Sequence, residues 1–462
     1  MGIFGALNTA VNGMRAQAFA LENISGNIAN SQTVAYKRED TSFIDLIPDA
    51  QPNKQFGGNV IANSRATNTI QGDIQSSATG TFMAINGGGF FVVEKATGLS
   101  GNTPTFSGND LYSRRGDFTT DRNGYLVNGA GYYLKGIPVD PTTGNLTGSV
   151  PELLQFSNSF LPAQATTALQ YQANLPSYPL TPNHNTAVAQ SELLAPAATY
   201  TGGDPRTVGA GGTGIVDGSN VAQFLGDSIS GGTVTAYDAT GTAVNINLRW
   251  AKTDSALYAG TDTWNLFYET DSTATALGSP AWINAGTDYT FTDGQISPSV
   301  PVITLTAVTI DGILLGDLTV THGATGLSQY ADNNGTVAVN ELQQNGFPAG
   351  SLQSVSVSDN GRVVGTYSNS RTIDLAEVTL ATFNGANYLK RLDGGGFAAT
   401  SESGAASFGS AGSVVGSSLE GSNSDIGDEF TKLIVTQQAY SANTRVISTS
   451  NEMVQDLLNT LR

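Results

Sequence analysis

Several residue groups have the types and spacings that chemistry would need. Gly209, Gly211 and Gly214 spell G-x-G-x-x-G, the pattern that cradles a pyrophosphate between a strand and a helix N-terminus. Here it follows Asp204-Pro205-Arg206-Thr207 and runs into Val216-Asp217-Gly218, which opens no helix, so a glycine-rich loop is expected. Asp332-Asn333-Asn334-Gly335 starts like a calcium loop, but the acidic residue required at its twelfth position does not follow, and a turn is expected. Arg114, Arg115 and Asp117 stand together before a hairpin and read as a local ion pair. Among 38 carboxylates any two could form a glycosidase pair, yet nothing local singles out a pair. There is no Walker A sequence and no G-x-S-x-G elbow. With no Cys and only His184 and His322, thiol chemistry, disulfides and Cys/His zinc sites are excluded. The expectation is no enzyme, no catalytic residue, no cofactor and no metal.

Composition points the same way. The 462 residues carry 20 Lys+Arg against 38 Asp+Glu, a net charge of −18, which excludes a phosphate-binding cationic face and hence nucleic acid as a partner. Glycine numbers 55 and charged residues make only 13%. No stretch reaches the roughly 18 apolar residues of a membrane helix. The start of the chain lacks a conventional cleaved leader, its early apolar residues being interrupted by Asn8 and Asn12 before the first cation at Arg15. Either a cytoplasmic location or export without leader cleavage is expected.

The elements that position these residues differ between the ends and the middle. Near the start Leu7, Val11, Met14, Ala18, Leu21, Ser25 and Ile28 alternate spacings of four and three, a heptad seam. Phe430, Leu433, Gln437, Tyr440, Thr444, Ile447, Asn451, Val454, Leu458 and Leu461 keep the same rhythm at the far end, after N-cap candidates Ser422 to Asp425. With small uncharged groups between the apolar positions, both helices suit burial among other helices. The seams show no internal partner, so the expected partner is another copy. The self-association residues are Leu7, Val11, Met14, Leu21, Ile28, Phe430, Leu433, Tyr440, Ile447, Val454 and Leu458.

Between the ends, strand alternation and Asn-Gly turns dominate. Phe118 to Val127 is expected to be a hairpin turning at Asp121 to Gly124, and Val355 to Tyr367 another, turning at Asp359 to Gly361. Val244, Ile246, Leu248 and Trp250 alternate with Asn245, Asn247 and Arg249 as a half-buried strand. Residues 151–340 hold all three Trp, with three cations (Arg206, Arg249, Lys252) against fifteen carboxylates, a net of −12. The expected fold is mainly β and multidomain, with terminal α-helices. Residues 1–32 and 424–462 form a helical coiled-coil domain, and 33–75 and 404–423 connecting segments. Residues 76–150 and 341–403 form an inner β domain, and 151–340 an outer inserted one. The stretch 180–220, rich in Gly, Pro, Thr and Ala, reads as a long surface excursion or a mobile loop.

Particular blocks resemble the rod-and-hook axial protein family of the bacterial flagellum. One runs from Ser25-Gly26-Asn27-Ile28-Ala29-Asn30 to Tyr36-Lys37-Arg38, with Ala35 where family members usually carry Gly. Others are Ile85 to Val93, Tyr112 to Phe118, Leu419-Glu420-Gly421-Ser422-Asn423-Ser424-Asp425, and Gln437 to Asn443. Val234 to Gly241, Asn345 to Gly350 and Tyr367 to Ser370 are similar to hook members in particular. The resemblance implies a homopolymer: a curved tube that joins rod to filament and transmits torque as a universal joint. It implies the rod, hook cap, hook–filament junction proteins and export apparatus as partners, and an extracellular place on the flagellum reached without leader cleavage. The alternatives are a distal rod or hook–filament junction protein of that family, or an extracellular carbohydrate-binding or adhesin β protein.

Overall fold

The computed structural model describes residues 3–46, 59–141, 143–156, 160–323, 325–409 and 412–460. The chain is mainly β, with a long helix at each end, Ile3–Ala29 and Ile426–Thr460. It divides into two compact units, Met1–Ser159 with Leu352–Arg462, and Phe160–Ser351.

In the first unit the two terminal helices pack on each other. They have 27 and 35 residues, or roughly 40 and 52 Å at 1.5 Å per residue. Asn27 Nδ2 donates to Glu429, and Gly13 sits against Asn443, fourteen residues further along each helix, so the pair is antiparallel and in step. The expectation that the end segments lack an internal partner is therefore corrected: each is the other's. The contact is made by small groups. Ala10, Ala16, Ala20, Ile24 and Asn27 are buried on the first helix, and Glu429, Thr436 and Ser450 on the second. Small side chains let the axes approach closely, as they do wherever a Cβ is missing or minimal. The C-terminal helix starts at Asp425, whose Oδ1 accepts the N–H groups of Gly427 (2.7 Å) and Asp428 (3.0 Å), and carries Asp428 and Glu429 in its first turn, where the helix dipole favours them.

The β body of this unit is built around strand Phe90–Lys95. Side chains alternate across a strand, and here both faces are covered. Phe91 and Val93 enter one core with Met83, Phe118, Leu126, Leu134 and Val363, while Phe90 and Val92 enter another with Tyr112, Leu389 and Phe397. The two expected hairpins are present. Phe118–Thr120 pairs antiparallel with Leu126–Asn128. Its turn is closed by Gly124 N–H to the Asp121 carbonyl (3.1 Å), with Gly124 at φ +85°. Val357 pairs with Val363, and Gly361, at φ +76°, donates to the Ser358 carbonyl.

The second unit is organised on one sheet running Ile229–Tyr237, Ala243–Asp254, Asp262–Glu269, Pro280–Thr292, Gln295–Ile296, Leu327–Tyr330, Ala168–Pro176, Ile313–Thr321 and Val302–Ile310. The expected alternation holds in Ala243–Asp254: Val244, Ile246, Leu248 and Trp250 are buried, whereas Asn245 is exposed and Asn247 and Arg249 are half-buried. Trp250, Trp264, Tyr171 and Tyr289 centre this core. The stretch 180–220 is a surface excursion with anchors of its own. Leu194, Tyr200 and Val216 enter a smaller core with Phe224, Phe267 and Trp282. The buried Asp227 carboxylate accepts hydrogen bonds from Asn183, Ala195 N–H, Tyr200 and Gln223. Gly211 and Gly214, at φ +84° and +71°, lie in a loop that leads into strand Ile215–Asp217, so the glycine pattern opens no helix.

Candidate functional site: the terminal helix pair and its root

The expected seam residues fall into two groups. On the N-terminal helix Leu7, Val11, Met14, Leu21 and Ile28 are all half-buried, one flank away from the small-residue contact line. On the C-terminal helix Leu433, Ile447 and Val454 are half-buried, whereas Phe430, Tyr440 and Leu458 are exposed. Leu461 lies outside the described residues. The exposed surface of that helix is more apolar than the seam alone implied. Ile434 (56%), Val435 (61%), Val446 (44%), Met453 (48%) and Leu457 (52%) also face outward. Scattered exposed apolar residues are ordinary. Here several of them lie along a single helix of roughly 50 Å.

At the root of the pair the chain turns into the β body through polar contacts. Asn27 is the hub for the first helix. Its Nδ2 donates to the Glu39 carbonyl (2.9 Å) and to Glu429 Oε2 (3.1 Å), and its Oδ1 accepts from Glu39 N–H (2.9 Å). Glu429, fully buried, also takes Lys432 Nζ at 2.6 Å. Arg391, from the β body, reaches Glu39 at 2.6 Å and lies over the Tyr36 ring. Burial raises the Tyr36 phenol pKa, against the pull of the neighbouring Arg391.

A second cluster lies deeper. Lys37 Nζ is 2.5 Å from Glu420 Oε1, and Arg114 Nη1 is 3.2 Å from Glu420 Oε2; the side chains of Lys37 and Glu420 are fully buried. Lys37 also donates to the Ile70 carbonyl (2.6 Å) and Arg114 to the Gly87 carbonyl (2.7 Å), while Gly72 N–H donates to Glu420 Oε1 (2.9 Å). Burial pushes the Lys37 ammonium and the Arg114 guanidinium below their ordinary values, with attraction to Glu420 opposing. Backbone bonds run alongside: Ala35 N–H to the Glu420 carbonyl (2.8 Å), Asn423 N–H to the Tyr36 carbonyl (3.1 Å) and Gly421 N–H to the Asp73 carbonyl (2.8 Å). Asn423 Oδ1 accepts Arg38 N–H at 2.7 Å.

Sequence reading found Arg115 and Asp117 as a local pair, and they form two 2.8 Å bonds. It missed Arg114, whose partner lies 306 residues away, and it missed Glu420 as a hub. The available signal was a charged residue in each of three family-like blocks.

The blocks that resemble the flagellar rod-and-hook family are the ones that root the terminal helix pair in the β body. Residues 84–167 match the family described as flagellar hook protein FlgE/F/G D1 domain, and residues 415–460 match flagellar basal body rod FlgEFG protein C-terminal. Over its whole length the chain is similar to flagellar hook proteins. It is 27% identical to that of Brucella suis over 479 residues, covering 100% of both chains. It is 28% identical to that of Salmonella typhimurium over 460 residues, covering 98% of this chain and 99% of the relative. The Escherichia coli hook protein is 26% identical over 461 residues, with 98% and 99% covered. The resemblance read from the sequence blocks is borne out from end to end.

Proposed function

We propose that the chain is a structural subunit of the bacterial flagellar hook, a part of a helical polymer rather than an enzyme. End-to-end similarity to hook proteins supports this reading, because rod-type blocks alone would cover the ends and the β body without the 160–351 unit. In the polymer the terminal helices form a coiled-coil tube, residues 1–32 and 424–462 together. Leu7, Val11, Met14, Leu21, Ile28, Phe430, Leu433, Tyr440, Ile447, Val454 and Leu458 meet neighbouring copies there. The β segments 76–150 with 341–403, and the inserted 151–340, supply the outer layers of the tube, linked to the helices through 33–75 and 404–423. Their surfaces of Gly, Ser, Thr and Asn slide with small, similar energies, so the tube can bend while it turns. Rod, cap and junction proteins meet its ends, and subunits reach the cell exterior by flagellar export.

The helix faces carry this reading. Fully burying a Leu, Ile, Phe or Met contributes about 1.5–3 kcal/mol, and the monomer leaves several of them wet along the C-terminal helix. Electron microscopy of the concentrated protein tests it: tubes are expected. A chain lacking residues 425–462 should keep folded β units and form no tubes. Normal tubes from that chain would refute the helix-based assembly. Tight glycan binding by the full chain without tubes would favour an adhesin.

A further inference from the structure

Three blocks of sequence, far apart in the chain, each send one charged side chain to a single dry point. Lys37 follows the N-terminal helix, Arg114 belongs to the β body, and Glu420 lies on strand Ser418–Glu420, just before the C-terminal helix. One carboxylate holds both cations, so the cluster carries one positive charge in excess. Further partners surround it: the Ile70 carbonyl accepts from Lys37, the Gly87 carbonyl accepts from Arg114, and Gly72 N–H donates to Glu420 Oε1, while the buried Arg114 Nε has no partner.

Stability alone is a poor reason for such a cluster. Desolvating two cations and a carboxylate is expensive, and apolar side chains of similar volume often stabilise a core as well or better. Charge-assisted hydrogen bonds supply direction, which apolar packing does not. A cluster that draws one group from each helix root and one from the body constrains the angle between them. Backbone bonds from Ala35 and Asn423 run beside it and leave little room for rotation.

We propose that Glu420 is the positioning residue of this protein: by holding Lys37 and Arg114 together it fixes the direction in which both terminal helices leave the β body. Helices and body then move as one part. The mechanical consequence, that twist entering the helices reaches the β layers without slack, rests on the hook reading. The joint itself does not, and it is tested on the isolated chain.

The absence of Cys makes site-specific spin labelling of the full-length protein simple. Labels at Glu22→Cys on the first helix and Thr120→Cys on the β body, both exposed positions, give a distance distribution by pulsed electron paramagnetic resonance in dilute protein. A narrow single peak is expected for the parent chain. Glu420→Gln should broaden it at least about two-fold while the aromatic circular dichroism of the β body stays unchanged. Lys37→Met, which leaves Arg114 and Glu420 paired, should give an intermediate width. An unchanged narrow peak in Glu420→Gln overturns the proposal. Should Glu420→Gln fail to fold, the Lys37→Met width decides: broadened supports the proposal, parental overturns it. A triple apolar variant, Lys37→Met with Arg114→Met and Glu420→Met, should also stay broad. A parental width there would assign the angle to packing and remove the carboxylate's role. A parent chain that gives a narrow peak but forms no tubes would count against the hook reading and leave the joint standing.

Discussion

The backbone N–H of Ala35 donates to the Glu420 carbonyl at 2.8 Å, and Ala35 does so from the left-handed region, at φ +53°. An alanine thus holds a conformation that glycine adopts far more readily. The turn is kept and the side-chain strain is accepted, at about 1–2 kcal/mol. Ala35 is also buried, so there is no outward path by which the strain could relax.

Ala35→Gly should accordingly leave the first unit as stable as the parent or up to about 1 kcal/mol more stable. Relief of the left-handed cost is partly offset by roughly 0.4–1 kcal/mol of added freedom in the unfolded chain. Ala35→Val should be clearly destabilising, by about 2 kcal/mol or more, because a β-branched side chain fits neither the backbone nor the space. Urea unfolding curves of the two variants decide it. Equal midpoints for Gly and Val would show that the turn does not need this conformation.

What the sequence makes legible here is local. The Phe118–Val127 hairpin, the 243–254 strand and the cap at Asp425 follow from turn chemistry, period-2 alternation and capping within a few residues. The helices were legible as helices, but their contact line was not. Heptad reading weights large apolar residues such as Leu7 and Leu21, whereas the intramolecular face uses Ala10, Gly13, Ala16 and Ala20. Smallness gains value only when the opposite helix and its register are known. The same limit hid Glu420, since nothing near it in sequence says that Lys37 and Arg114 converge on it. The excursion of 180–220 looked like loop by composition, and its anchors, Leu194, Tyr200 and Val216, are single residues whose weight comes from distant partners.

Gly13 tests the small-residue contact line. A Cβ added there would lie 3.0 Å from Asn443 Oδ1. Asn443 is a side chain able to give by a few tenths of an ångström, and alanine is favoured over glycine within a helix by about 1 kcal/mol. Gly13→Ala should therefore change stability by less than about 1 kcal/mol. Gly13→Leu cannot be accommodated and should cost about 1–3 kcal/mol by overpacking. Its signature is loss of helix-pair protection in amide hydrogen exchange while protection of strand Phe90–Lys95 is kept. Parental exchange in Gly13→Leu would mean that the helices do not pack in the register described.

His322 gives the 160–351 unit an acid limit. It is 1% exposed. Its Nδ1–H donates to the Tyr171 carbonyl, which can only accept, so Nε2 accepts from the Tyr289 hydroxyl, both at 3.0 Å. The rings around it are Tyr171 and Tyr289, and burial holds its pKa below the ordinary 6.5. A group with a depressed folded pKa binds more protons when unfolded. Its contribution is thus present above pH 6.5 and is lost as pH falls from there toward the folded pKa, by up to about 1.4 kcal/mol per pH unit. Thermal unfolding followed by Trp fluorescence between pH 7 and pH 5 should show this slope, and His322→Gln should flatten it. A slope retained in His322→Gln would assign the acid sensitivity to other groups.

The exposed face of the C-terminal helix provides the sharpest separation between folding and assembly. Phe430, Ile434 and Leu458 stand 49%, 56% and 61% exposed in the single chain. Replacing each by Ser should leave monomer stability within about 0.5 kcal/mol, as for other surface changes. In a tube each position is repeated in every subunit, and burying such a side chain contributes about 1.5–3 kcal/mol per copy, so the triple variant should raise the critical concentration for assembly by orders of magnitude. Sedimentation at increasing concentration measures this directly, with far-ultraviolet circular dichroism of the same samples reporting the helices. A variant that stays monomeric with parental helix content places the lost free energy between copies. One that loses helix before it loses assembly would show that these side chains serve the helix pair within the chain, and the self-association surface would then have to lie on the flank formed by Leu7, Val11 and Met14.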